Sequence, residues 1–188
     1  MVICVYGAAS DRIGESYIKA TEKLGHEMAR RGHKLVFGGG GVGNMGAAAR
    51  GVHEGGGHVT SVVPRFFKEE GIEQLFEEAN ETIYTYTLSE RKDIMESTAE
   101  AFIVTPGGIG TFDEFFQVLT LIQLGQYDKP IALYNTNGYY DPMQLVMKTA
   151  DRQGFLRYGT DKLYGIFEDP GELLDYLEAN AGKRVHER

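Results

Sequence analysis

The segment Ala101-Phe102-Ile103-Val104-Thr105 carries no polar residue before its last position, and it runs straight into Pro106-Gly107-Gly108-Ile109-Gly110-Thr111. A strand this uniformly apolar needs cover on both faces, which is the condition of a central strand in a parallel sheet. Beyond the glycines, a long helix is expected over roughly Phe112 to Leu124. A strand, a glycine turn and a helix start in immediate succession place free backbone N–H groups at a helix N-terminus, where the dipole favours an anion. Glycine lets the ligand approach the backbone closely, and Thr111 adds a hydroxyl at the expected helix cap. A tight turn without any ligand is the structural alternative.

The remainder of the chain repeats this alternation. Val2 to Tyr6 reads as the first strand, and Tyr17, Ala20, Leu24 and Met28 then fall at helical spacing until Arg30-Arg31-Gly32 closes the helix. Lys34 to Phe37 is a second strand, followed by four glycines, a small-residue helix from Met45 to Glu54, and a strand from His58 to Val63. From Pro64 to Asn80 the sequence is polar and mostly acidic, which fits a loop and short helix over one sheet edge. Thr82 to Tyr86 predicts a strand, Glu90 to Ala99 a helix, and Pro130 to Asn135 another strand. Asp141-Pro142 and Asp169-Pro170 open the last two helices, with Pro just inside the first turn. The fold class this predicts is α/β: a Rossmann-like three-layer fold with a mostly parallel central sheet and helices on both faces. Residues 1–182 are expected to form a single nucleotide-binding domain, with 183–188 a flexible tail.

Charge narrows the function. A formal net charge of -8 over 188 residues argues against a nucleic-acid or anionic-membrane surface, so any anion must be gripped locally. The lone cysteine, Cys4, sits in an apolar strand and reads as a core residue, and no apolar stretch is long enough to span a bilayer. A cytoplasmic protein is the expectation. His53, Glu54 and His58 lack the one-face spacing of a zinc-protease motif, and no metal is expected.

The remaining motifs have two readings each. Thr111-x-x-Glu114 fits a capping box, yet Glu114 is also placed to be the chemical group of the site. Thr87-Leu88-Ser89-Glu90 is a second capping box that sets Arg91 and Lys92 beside a helix start. Cations there oppose the dipole unless an anion or an electron-rich base lies above them; otherwise they are a solvated pair. Gly41-Val42-Gly43-Asn44-Met45-Gly46 matches the dinucleotide fingerprint, but it follows the second strand, and Val62-Val63-Pro64-Arg65 offers no acid for an adenosine ribose. No dinucleotide or other cofactor is therefore expected, and Gly39, Gly40 and Met45 are read as lying beside a substrate.

Phe37 to Gly46, Glu90-Arg91-Lys92 and Pro106 to Glu114 together resemble the LOG (Lonely Guy) family, in family order and over nearly the whole chain. The resemblance implies a nucleoside 5′-monophosphate phosphoribohydrolase, which releases a free base and ribose 5-phosphate, with cytokinin nucleotides as the best-known substrates. It implies a phosphate held on Gly107, Gly108, Ile109, Gly110 and Thr111, catalytic roles for Arg91 and Glu114, and substrate contacts from Lys92 and Thr120. An acid between Pro64 and Gly71, Glu69 or Glu70, also reaches the substrate in this scheme, and the protein is a homodimer. Many relatives carry an older lysine decarboxylase label, but no lysine here lies in a pyridoxal phosphate setting. Leu88-Ser89 stands where the family has Met-His, Asn44 where it has leucine, and Tyr6-Gly7-Ala8-Ala9-Ser10 departs from its Cys-Gly-Ser-Ser turn. These departures leave the base preference open. A nucleotide-binding sensor or carrier without catalysis is the rival reading.

Overall fold

The computed structural model describes all residues 1–188. Its elements alternate as the apolar pattern requires: β1 (Val2–Tyr6), α1 (Glu15–Arg30), β2 (Lys34–Phe37), α2 (Gly43–Glu54), β3 (Val59–Pro64), α3 (Arg65–Glu69), β4 (Glu81–Thr85) and α4 (Leu88–Thr98). The second half supplies β5 (Ala101–Val104), α5 (Ile109–Gln123), β6 (Ile131–Tyr134), α6 (Asp141–Arg152), α7 (Thr160–Leu163), β7 (Gly165–Phe167) and α8 (Pro170–Asn180). The strands form a seven-stranded sheet in the order β4-β3-β2-β1-β5-β6-β7, and every pairing is parallel.

Period-two alternation divides the strand residues between two cores. Ile3, Val5, Leu35, Phe37 and Ile103 face α1, α2 and α8 through Leu24, Met28, Val52 and Leu173. Cys4, Val36, Phe102 and Val104 face α4 and α5 through Met95, Phe115, Val118 and Ile122. This is the Rossmann-like three-layer arrangement read from the pattern, with Cys4 fully buried as a core residue. No helix is long and apolar enough to cross a membrane.

Both edges of the sheet depart from the regular plan. Between β3 and β4 the connection is the five-residue α3 and an irregular strap, residues 71–80, in place of a full helix. The strap is stitched to the loop after β2: Gly41 N–H donates to Gln74 O at 2.6 Å, and Phe76 N–H donates to Gly39 O at 2.9 Å. At the other edge, β7 is an additional strand of three residues, too short to show a hydrophobic period. Val185 near the C-terminus is buried in the same core as Phe115.

Candidate active site

The strand order reverses between β1 and β5, and in a doubly wound sheet a crevice opens outside the carboxyl ends of the strands at that point. Four segments surround it: residues 7–10 after β1, 38–42 after β2, 105–108 after β5, and the strap.

The β5–α5 turn differs from its expected form in one respect. The helix starts at Ile109 with Gly108 as its N-cap, so Thr111 is already inside the first turn and does not cap it. Gly108 is extended, at φ -96 and ψ -150, and its carbonyl takes the first helical hydrogen bond from Phe112 N–H at 3.0 Å. The N–H groups of Ile109, Gly110 and Thr111 therefore have no acceptor in the chain. The Thr111–Glu114 capping box is overturned by the same shift, because Glu114 lies too far along the helix to reach the cap. A β-carbon placed on Gly108 or Gly110 would meet nothing within 4 Å. No packing inside the chain demands glycine at these two positions, and the space above them is open.

Arg91 enters from α4. The Thr87 hydroxyl accepts from Glu90 N–H at 3.0 Å, while the Glu90 carboxylate accepts from Tyr86 N–H at 2.7 Å, one residue before the cap. This start turns the next side chain inward. Arg91 is 7% exposed, its Nε donates to Val62 O at 3.2 Å and its Nη2 to Gly38 O at 3.1 Å, and its guanidinium lies 5.5 Å over the Phe67 ring. A β-carbon on Gly38 would collide with Nη2, so glycine is required there to admit the arginine. Lys92 points elsewhere and pairs with Asp113 at 2.8 Å on the rim. The apparent basic pair is thus one buried cation and one solvated ion pair.

Burial drives the Glu114 carboxyl up to about 7; Arg91 and Lys92 oppose that rise, while Asp113 and Glu73 add to it. A carboxyl raised toward neutrality, within the field of a buried arginine, is a group suited to stabilise or exchange charge. Glu73 was not foreseen. The strap carries it toward Gly40, its Oε2 is buried without a hydrogen-bond partner, and desolvation raises its carboxyl against the pull of Arg91. Glu69 and Glu70, the acids expected from sequence, are exposed on α3 and in the turn beyond it. Only the stitching of the strap to residues 39–41 selects Glu73, and no local pattern announces that pairing.

The other candidates divide. Gly39, at φ +85, and Gly40 border Val63, Met45 and Glu73, and Met45 is buried beneath the loop. Thr120 is exposed, with its hydroxyl bonded back to Phe116 O at 2.7 Å. It lies ten residues beyond Gly110 on one helix, about 15 Å along the axis. One copy of the chain does not bring it to the cradle.

Hollows in the surface do not by themselves mark this site. One of about 660 Å³ lies between α6, α7 and β7 and includes Asp141, Leu145, Asp161 and Tyr164. A groove of about 650 Å³ bordered by Gly41, Arg50, Lys68 and Glu73 runs along the strap instead. An anion and a developing charge are held by groups such as the free helix N-terminus and the Arg91–Glu114 set, and not by volume. The cluster of metal-ligating types, Glu22, His26 and Glu54, lies on the surface of α1 and α2 and not at the crevice.

Fold and site define a Rossmann-like α/β protein with an open helix N-terminus and, at its switch point, a buried arginine with half-buried carboxyls near it. The family model described as "possible lysine decarboxylase" matches residues 45–177. A cytokinin riboside 5′-monophosphate phosphoribohydrolase of Oryza sativa subsp. japonica is 40% identical over 176 residues, covering 94% of this chain and 72% of the relative. One from Arabidopsis thaliana is 36% identical over 176 residues, covering 94% and 82%. The chain belongs to this family, the LOG family. Among solved structures, the molybdenum cofactor carrier protein of Chlamydomonas reinhardtii superposes with a TM-score of 0.71 at 21% identity, over 95% of this chain and 96% of that one. At that identity the likeness concerns the fold.

Proposed function

We propose that this protein hydrolyses the N-glycosidic bond of a purine or cytokinin nucleoside 5′-monophosphate, releasing the free base and ribose 5-phosphate. The observation that carries the reading is the free N-terminus of α5 with Glu114 on the same helix and Arg91 beside it. The phosphate rests on the N–H groups of Gly108 to Thr111, which supplies binding energy remote from the bond that breaks. Glu114, ionised, holds the ribose hydroxyls and stabilises the positive charge that grows on the sugar, or orients water toward it. Arg91 assists the departing base, and its Nη1 edge, which meets no acceptor in the chain, is available for that. Glu73 faces the same charge and is assigned to the substrate in place of Glu69 or Glu70. The names of the curated relatives support this reaction; the decarboxylase wording of the family model has no counterpart among these residues.

We further assign the working unit as a cytoplasmic homodimer. Phe116 and Leu124 are 42% and 57% exposed, and Thr120 shares a shallow hollow with Phe116, Gln117 and Leu121. A second copy packed on α5 would cover these apolar groups and would let Thr120 serve the partner's crevice. Light scattering that returns a monomeric mass removes this assignment.

The reaction is tested by incubating the pure protein with AMP, isopentenyl-AMP and the matching nucleosides and following free base by chromatography. Base release from the nucleotides, with far slower release from nucleosides, is expected. No release from any nucleotide, together with tight AMP binding by calorimetry, would overturn the hydrolase in favour of a sensor or carrier.

A further inference from the structure

A turn that offers its N–H groups to an anion must keep its own carbonyl oxygens away from that anion. In a planar trans peptide the C=O of one residue and the N–H of the next point in opposite directions, so a flip of the plane exchanges them. Glycine permits such flips more readily than any other residue, and Gly107-Gly108 is the peptide at risk.

Three consecutive carbonyls of this turn are held from behind. Tyr140 Oη donates to Thr105 O at 2.7 Å, and Tyr139 Oη donates to Gly107 O at 2.6 Å. Between them, Pro106 O accepts from Asn44 Nδ2 at 2.8 Å and from Ala8 N–H at 3.2 Å. The two tyrosines are themselves fixed where α6 begins: Tyr140 N–H donates to Asn135 Oδ1 at 2.7 Å, and Asn135 Nδ2 donates to Asp141 Oδ1 at 2.9 Å. Tyr139 stacks edge-on against Tyr140 and Tyr17, with ring centroids 5.0 and 6.1 Å apart.

We propose that Tyr139, with Tyr140 and Asn44, is a positioning residue of the phosphate turn: by holding the Gly107 carbonyl outward it keeps the Gly108 N–H turned toward the anion. This rests on the reading that the turn takes a phosphate. Asn44 acts on the same turn through its amide, which donates to the Pro106 carbonyl from the start of α2. Tyr139 is the residue to test, because it is 37% exposed and loss of its hydroxyl alone leaves the ring packing in place.

The experiment compares the full-length protein with Tyr139→Phe, using ribose 5-phosphate as the probe in calorimetry and a nucleoside 5′-monophosphate in steady-state kinetics. Loss of one hydrogen bond that orients a charged contact should weaken ribose 5-phosphate binding about tenfold. KM should rise by a similar factor with kcat within about twofold, as for an interaction equal in ground and transition states. The melting temperature should stay near that of the wild type; a merely structural hydroxyl would lower it without a selective loss of phosphate binding. Ribose 5-phosphate binding within twofold of wild type in Tyr139→Phe would overturn the proposal, as would a wild type that does not bind this probe. A wild type that binds it but releases no base would overturn the hydrolase instead, and the variant would still show whether Tyr139 holds the turn.

Discussion

The loops after β2 and after β5 both lead from a buried strand through glycines into a helix, yet the chain treats them in opposite ways. After β2 the protein fills its own turn. Gly38 O takes Arg91, Gly39 O takes the Phe76 N–H, Gly41 N–H reaches Gln74 O, and Met45 N–H at the start of α2 donates to Ala8 O. A β-carbon on Gly41 would lie 2.7 Å from Leu75 O, so this glycine exists for contact with the strap. After β5 the carbonyls are bound from behind, the N–H groups are free, and Gly108 and Gly110 face open space. Glycine serves chain-to-chain approach in one turn and leaves the backbone open in the other. The dinucleotide fingerprint at residues 41–46 is therefore consumed by packing, whereas the turn with no textual match to it remains open.

The largest effect that would test this contrast concerns the group nearest the open turn. Glu114→Gln should lower kcat by about a thousandfold with substrate affinity changed only a few-fold, as for a charge needed in the transition state. A loss under tenfold would leave Glu114 no chemical role. Since the ionised form is the active one, kcat/KM in the wild type should climb as pH rises through about 7 and then level.

The same carboxyl should be visible in stability. Its folded-state value is raised from 4.5 to about 7, so the folded chain holds the proton more tightly than the unfolded one, and stability is lost as pH rises through that interval. Full ionisation costs up to about 3 kcal/mol. In urea titrations Glu114→Gln should therefore be more stable than wild type at pH 8 and equal to it at pH 4; no difference at pH 8 would show that the crevice is well hydrated around this group.

Exchanging the two kinds of glycine gives a smaller and more direct comparison. Gly41→Ala should cost about 1–3 kcal/mol, because backbone on both sides must shift. Gly110→Ala should leave stability unchanged or slightly raised, since alanine is the better helix former, and should weaken ribose 5-phosphate binding by crowding the open face. The reverse pattern in denaturant midpoints and calorimetry would break the comparison. The smallest change is expected from Asp113→Asn. The Lys92 ion pair has one partner 60% exposed, and its loss should move stability by under about 1 kcal/mol.

Local pattern made most of the architecture legible. The apolar runs at residues 2–6, 34–37 and 101–104 are strands, and the Thr87 and Asp169 caps bond as their spacing predicts, Thr87 from Glu90 N–H and Asp169 from Gly171 and Glu172 N–H. Periodicity and capping are properties of neighbours in the chain, so neighbours suffice to reveal them. α5 starts at Ile109, three residues before the expected Phe112, because its true N-cap, Gly108, has no side chain to mark it, whereas the Thr111 hydroxyl looks like a cap and is not one. β7 escaped because Gly165-Ile166-Phe167 is shorter than one recognisable alternation.

By itself, then, the sequence determined an α/β sandwich, an anion-ready turn after Val104, and the identity of Arg91 and Glu114 as candidates. Tertiary structure decided which glycine turn stays open, that Arg91 is buried while Lys92 stays on the rim, that Glu73 and not Glu69 or Glu70 approaches the crevice, and that Thr120 lies away from it in a single copy. The physical reason is separation along the chain. Arg91 meets Gly38 across 53 positions and Asn44 meets Pro106 across 62, and contacts of that span are set by how the sheet and helices pack, which no local periodicity encodes.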